Sequence, residues 1–423
     1  MMKTWCANAR TQEKYSRLNA AAMWQPMLRE RGYRSWRACF GPWIGSDWTK
    51  VSLHHAGQFF RKQLISKPRH AHPADDQGPA WSHGAQDGWL LFRGPSSEFW
   101  FDHWIRDLKT RGVSFIWNTP LERFEYDGAT ITAGCLNSGA LVEADLYVLA
   151  VNPFAAAQIL ARTPNLERQA ELRLFKPLVQ EGPHVQVSFR IAYYEPVIFP
   201  RARTAVVVAD SEFNLTLFAE DQVWDSKVDL GRNVMALWTG TSCVGTVPGR
   251  LYNLPVMKCS KDQFLDEVKA QILSCESLNA LIQEANGGRS LADFTIAKIE
   301  VWHEWIFSPE GIRGPQPKWV TTTNTQPYLP SQVTPVPNLF LAGAHTKTEV
   351  DVWSIEGAVE SGRRAARAID PAVEVISQYK PWWLRAISAV DDVCYRAGAP
   401  HVLDILLVSL LLSAALTIAL LLI

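Results

Sequence analysis

Three kinds of apolar run recur along this chain, and each predicts a different element. Short continuous runs closed by turn residues predict buried strands. Leu339-Phe340-Leu341-Ala342 before Gly343 is one, and residues 144–151 before Asn152-Pro153 are another. Alternating and β-branched runs at 185–194, 204–209, 215–219 and 234–238 predict antiparallel strands, with a further strand at 294–305. Residues 113–117 and 120–127 also read as strands, the second ending in an Asp127-Gly128 turn. Helical spacing at Phe99, Trp100, Trp104 and Leu108 predicts the buried face of a helix capped by Ser96 or Ser97 and closed at Gly112. Residues 154–161 predict a helix, and 262–284 a single amphipathic helix stopped by Gly287-Gly288.

The third kind of run is 405–423, almost unbroken Leu, Ile, Val and Ala, relieved by Ser409, Ser413 and Thr417. At about 1.5 Å per residue it is long enough to cross a bilayer core. Lys380, Arg385 and Arg396 precede it, and Trp382 and Trp383 suit the headgroup level. The expectation is a tail-anchored membrane protein, single-pass, with its bulk cytoplasmic. The competing expectation is a core helix, although core helices are seldom apolar on every face.

After the run ending at Gly343 come Ala344-His345-Thr346-Lys347 and then Ser354-Ile355-Glu356-Gly357-Ala358-Val359-Glu360-Ser361-Gly362. Strand, glycine turn, then a helix start rich in small residues lets another body approach the backbone. A helix N-terminus also offers free N–H groups and a positive dipole end. This stretch resembles the C-terminal signature of the flavin amine oxidase superfamily, most nearly its carotenoid desaturase and hydroxysqualene dehydroxylase branch. Gly343, Thr346, Lys347, Ser354, Glu356, Gly357, Ala358, Ser361 and Gly362 match as they stand.

The resemblance implies an α/β fold: the C-terminal part of a two-domain Rossmann-like flavoprotein with an α+β substrate domain. It implies FAD as cofactor, with Gly343, Ala344, Ser354, Ile355, Glu356, Gly357 and Ala358 against it. From the weaker 94–153 block it adds Leu121, near the adenine, and Ala150, at a strand end near the dinucleotide. The family usually has an acidic residue where Ala344 stands, so one side-chain contact is lost here. His345 and Trp353 flank the signature and read first as structural. No catalytic acid or base is assigned.

Composition narrows the partners. Lys plus Arg and Asp plus Glu are 42 each, so no basic excess points to nucleic acid. Eighteen Trp and eighteen Phe suit a large apolar substrate or a membrane-associated surface. The seven cysteines lack C-x-x-C spacing, so neither a metal site nor a disulfide framework is expected. His70 and His72 read as solvent-exposed.

The expected organisation is a helical part of the substrate domain at 1–91, broken by a polar loop at 68–88, and a FAD-binding segment at 92–165. The substrate domain proper follows at 166–330, a second FAD-binding segment at 331–372, a juxtamembrane stretch at 373–401 and the anchor at 402–423. The sequence holds no G-x-G-x-x-G, the turn that sets a helix start against a pyrophosphate. Two functions follow. The first is a FAD-dependent oxidoreductase passing hydride from an apolar substrate, such as an isoprenoid, to flavin, with the dinucleotide-binding half either missing from a truncated gene product or supplied by a separate chain. The second is a non-catalytic, membrane-tethered interaction protein on the same scaffold.

Overall fold

The computed structural model describes residues 2–65, 92–199 and 205–421. His70, His72 and the 68–88 loop lie outside the described residues.

The aromatic N-terminal part is helical: α1 (Met2–Trp5), α2 (Ala9–Glu13), α3 (Ala20–Trp24), α4 (Glu30–Ile44) and α5 (Leu53–Leu64). Asn19 and Ser52 cap α3 and α5, each accepting a backbone N–H three residues on. Phe40 and Trp48 are buried at the centre of this block, their rings 5.7 Å apart.

A π-helical turn, Ser97–Phe101, runs into α6 (Asp102–Thr110). Neither serine caps it through its side chain, and the expected buried face is absent. Phe99 is 41% exposed and Trp104 48%, because no described element lies against this stripe closely enough to bury any residue of it. Residues 113–117 do not form a strand either. They find no ladder partner among the described residues, and Ile116 and Trp117 stay exposed.

Then come β1 (Leu121–Tyr126), β2 (Ile131–Leu136) and β3 (Leu141–Val142), an antiparallel meander turning at Gly128. β4 (Tyr147–Leu149) leads into α7 (Pro153–Ala161), where Asn152 caps and Pro153 takes the first turn. After α8 (Phe175–Leu178) the chain enters the antiparallel sheet of β5 (Ser188–Tyr193), β6 (Ala205–Val207), β7 (Leu215–Ala219), β8 (Ala236–Ser242) and β9 (Ile296–Val301). Its spatial order is β6-β7-β8-β5-β9.

The predicted long helix is two: α9 (Lys261–Leu273) and α10 (Glu276–Ala285). Asn279 Nδ2 donates to the Leu273 and Cys275 carbonyls and so closes the first helix. No Gly or Pro marks that break. Phe264, Val268 and Ile272 of α9 meet Phe189, Ile191, Leu217 and Trp238 of the sheet in the largest core. Each such side chain contributes about 1.5–3 kcal/mol by its burial.

β10 (Ile306–Ser308) and β11 (Gly311–Arg313) form a hairpin. β12 (Leu339–Leu341) pairs in parallel with β4, Leu341 opposite Leu149. Asn338 stitches this pair to the meander, its side chain bonding both the N–H and the C=O of Ile131. The 144–151 strand proves only half buried, with Val148 at 47% exposure. The chain ends its described course in α11 (Ile355–Ile369), α12 (Trp382–Arg396) and α13 (Val402–Leu421). α12 is tied to α2 by a buried Arg10–Asp391 ion pair at 3.0 Å.

Candidate functional site

The site is the turn between β12 and α11. β12 brings the backbone to Gly343, whose φ of +136° lies in the range that favours glycine. A Cβ there would also meet the His345 ring at 2.4 Å. His345 is buried and packs edge-on against Phe175 at 5.5 Å. Burial lowers its pKa to about 4, so the ring is neutral at pH 7.

The turn is locked by hydroxyls. Ser361 of α11 accepts the Gly343 N–H at 3.0 Å and lies 2.7 Å from the Thr346 hydroxyl. Thr346 Oγ1 donates to the Gly343 carbonyl at 2.9 Å. Gln332 Nε2 donates to Thr346 Oγ1 and to the Lys347 carbonyl, at 2.7 and 2.8 Å. Farther along the loop, the Glu360 carboxylate accepts the Glu349 and Val350 N–H groups at 2.7 and 2.8 Å. Both ends of the loop are therefore bonded to α11.

Ser354 caps α11 by accepting the Gly357 N–H at 3.1 Å. Among the described residues nothing accepts from the N–H groups of Ile355 and Glu356, as expected of a first helical turn. Ile355, Glu356 and Ala358 are exposed, so the helix start is open.

Gly357 corrects the expectation that small residues there leave room for another body. Its position is buried, and a Cβ would meet the Val352 carbonyl at 2.6 Å and the Ala344 methyl at 3.6 Å. Its smallness serves the chain's own close approach of loop and helix. Gly362, with nothing within 4 Å, and the exposed Ala358 are the open positions.

Ala150 follows β4, where the Leu149 carbonyl accepts the Ala342 N–H at 3.1 Å, so Ala150 stands at the same sheet end as Gly343 and Ala344. Leu121 opens β1 and packs against the core beneath the meander. Among the described residues no hydrogen bond joins it to the turn. Trp353 stacks edge-on against Trp319 at 5.2 Å.

Sequence reasoning missed a clamp on the loop. Asp351 has φ of +49° and accepts from His54 at 2.6 Å and from Gln326 at 2.8 Å. Thr11 Oγ1 lies 3.1 Å from the other His54 nitrogen. Burial raises the Asp351 pKa, but the charge and hydrogen bond of His54 outweigh it and bring the carboxyl below its usual range. His54 and Asp351 are 297 residues apart, and no motif spacing links them.

A second opening, about 690 Å³, lies on the outer face of the five-stranded sheet. Arg190, Phe218, Glu220, Thr239, Trp302 and His303 line it. Burial pushes the Glu220 pKa up, against a 2.6 Å hydrogen bond from Thr239.

The family described as flavin containing amine oxidoreductase matches residues 287–370, which contain β12, the turn and α11. Zeta-carotene desaturase of Arabidopsis thaliana, a chloroplastic and chromoplastic protein, is 39% identical over 66 residues. That match spans 16% of this chain and 12% of the desaturase. Among solved structures, an oxidoreductase from Methanosarcina mazei overlays with a TM-score of 0.45 at 9% identity, covering 83% of this chain and 68% of that one. Cyclohexylamine oxidase from Brevibacterium oxydans gives 0.46 at 15% identity, covering 87% and 70%. The resemblance carried by residues 338–366 falls inside the matched stretch: this part of the chain is similar to the flavin amine oxidase superfamily and, over a short span, to a desaturase.

Proposed function

We propose that this chain is the flavin-facing and substrate-facing part of a FAD-dependent oxidoreductase acting on an apolar, isoprenoid-like substrate. The observation that carries the reading is the rigid turn from Gly343 to Ala358, with two free N–H groups at an open helix start. Those residues fit a flavin in part. Gly343 and Ala344 would present backbone to the ribityl and phosphate chain, and Ala150 stands at the same sheet end. Ile355 and Glu356 would turn N–H groups and the positive dipole end toward the pyrimidine edge, favouring negative charge there. When bound, the flavin would supply a hydride acceptor. Ala344 offers no carboxylate, and the 423 residues hold no glycine-rich pyrophosphate turn. That turn would come from outside them, on a strand–G-x-G-x-x-G–helix module.

The domain division expected from the sequence belongs to the same proposal, with two FAD-binding segments around the sheet domain. The outer face of that sheet would take the substrate: Phe218 and Trp302 as apolar floor, Glu220 and Arg190 at its edge. α13 would be the membrane span. It is apolar over residues 402–420, with mean hydropathy 2.4 and 6% of that stretch buried. That exposure favours the span over the core-helix alternative, since a core helix covers its apolar faces. The bulk of the protein would then be cytoplasmic and would draw its substrate from the bilayer.

Two measurements test this. Full-length protein in detergent, mixed with FAD and desalted, should keep little flavin absorbance alone and retain it once the glycine-rich module is added. Tight stoichiometric FAD without the module refutes the shared-site reading. Carbonate washing should leave the full chain in the membrane pellet and release a version ending at Pro400. A full chain that washes off removes the anchor. The second reading, a tethered non-catalytic protein, is favoured by Ala344 and by the uncovered apolar stripe of α6. It predicts no flavin retention with any module.

A further inference from the structure

A cavity of about 610 Å³ lies between α2, α5, the loop after β12 and the first turns of α12, and the function proposed above does not use it. Its lining is polar and includes Asn8, Gln58 and Thr348 beside three cations, Arg61, Lys380 and Arg385.

The charges in this cavity do not cancel. Two carboxylates line it, and each is engaged elsewhere. Asp351 is bonded to His54 and Gln326. Glu349 accepts the Gln378 N–H at 3.1 Å and stands 3.5 Å from Arg364. The carboxylate of Asp392, whose field also reaches Lys380, is bonded to Asn8 and the Ala9 N–H.

The cations meet neutral groups. Lys380 Nζ donates to Asn8 Oδ1 and Ser388 Oγ, both at 3.0 Å. Arg385 gives Nε to the Lys380 carbonyl, which leaves its terminal nitrogens free to bond. Among the described residues nothing accepts from the half-buried Arg61 guanidinium. Burial and then the neighbouring Arg61 lower the Lys380 pKa, and burial lowers that of Arg61. In a chain with equal numbers of acids and bases, three cations converge here while Asp351 and Asp392 act on Arg61 and Lys380 through their fields alone, without an ion-pair contact, and the burial that outweighs those fields is a cost. A bound anion would remove it.

We propose that this cavity binds a phosphate-bearing ligand, with Arg61 as the forked contact and Lys380 and Arg385 as flanking charges. A guanidinium fork between two further donors suits the several oxygens of a phosphate better than a lone carboxylate. The volume exceeds what a bare phosphate fills, and the amide and hydroxyl groups of Asn8, Gln58 and Thr348 would receive an organic body. Thr348 and Asp351 belong to the loop that carries the α11 cap, so an occupied cavity ties α5 and α12 to that loop. The inference stands on these charges and does not need the flavin reading. The phosphate can come from a soluble phosphoester or a lipid headgroup.

The test is calorimetric titration of the full chain in neutral detergent with pyrophosphate and, separately, with dihexanoyl phosphatidic acid. One or both should bind, and the one that binds identifies the source. Arg61→Gln should weaken that binding about tenfold or more, the loss of one charge-assisted contact. Glu349→Gln, which removes a negative charge from the wall, should tighten it. Arg61→Gln should melt no lower than the parent without ligand, because a repulsion is relieved. If it fails to fold, Lys380→Gln carries the same test. Absence of binding by both probes, or binding that neither substitution changes, overturns the proposal.

Discussion

The five-stranded sheet and the two-stranded parallel pair differ in how much of their own apolar surface they cover. β5, β7 and β8 turn Phe189, Ile191, Leu217 and Trp238 inward, and α9 closes over them with Phe264 and Val268, all at 2% exposure or less. The β12–β4 pair buries Leu339, Leu341 and Leu149 but leaves Leu146 and Val148 exposed. Ile355 is 61% exposed and Val359 48%, and the α6 stripe is uncovered as well. Parallel strands normally have both faces covered, and two strands alone are marginal. One half of the molecule thus satisfies itself, while the other carries the signature on an open surface. The hydroxyl lock at Gly343, Thr346 and Ser361 holds the signature's shape at the open edge of a second core, which Leu339, Leu341 and Leu149 share with Leu160 of α7 and Phe175 of α8.

Substitutions in the closed half should break the comparison most sharply. Phe264→Ala should cost about 3–5 kcal/mol, read from urea unfolding. A cost under about 1 kcal/mol would mean the sheet core is loose.

Acid should act next. Burial depresses the pKa of His55 and His345 to about 4 and of His184 to about 3. The unfolded chain takes these protons near 6.5 and the folded chain does not, so stability falls with pH from about 6.5 to about 4. His55 and His345 each take roughly 3 kcal/mol from stability at most, and His184, whose fall runs on to about pH 3, takes roughly 5. Asp351, depressed below 3.8, adds stability above that value and loses it at still lower pH. Thermal melts between pH 7 and 4 should show a steady fall. A flat profile over that interval would mean the rings are hydrated.

Ser361→Ala should cost about 1–3 kcal/mol, since it leaves the Gly343 N–H unpaired. Hydrogen exchange at Gly343 should quicken while the sheet half is unchanged. Smallest in stability is Ala358→Trp, within about 0.5 kcal/mol because the position is exposed. It should nevertheless abolish flavin retention in the presence of the added module. A large residue at Gly357 would instead disturb the fold, because Gly357 has the Val352 carbonyl behind it. An Ala358→Trp protein that retains flavin like the parent would remove the helix start from the site.

The elements closest to the sequence reading are those with local chemistry at their ends. Ser354 before α11, Asn152-Pro153 before α7 and the Asp127-Gly128 turn each fix a boundary within a few residues. The misreadings came from residues whose state depends on a neighbour. Phe99 and Trp104 keep helical spacing but no described element covers them, and 113–117 has strand-like residues but no described strand beside it. The break at 274–275 is made by the Asn279 side chain, so apolar spacing passed straight through it.

By itself the sequence determined the order strand, glycine turn, capped helix, and the long apolar helix, because caps, turn residues and apolar periodicity act over a few positions. Only the tertiary structure decided that Gly357 faces its own chain and that His54 closes on Asp351 across 297 residues. The meeting of Arg61 with Lys380 and Arg385 in one cavity is of the same kind. Charge and hydrogen-bond partners are set by distance in space, and a linear pattern of residues carries no record of that distance.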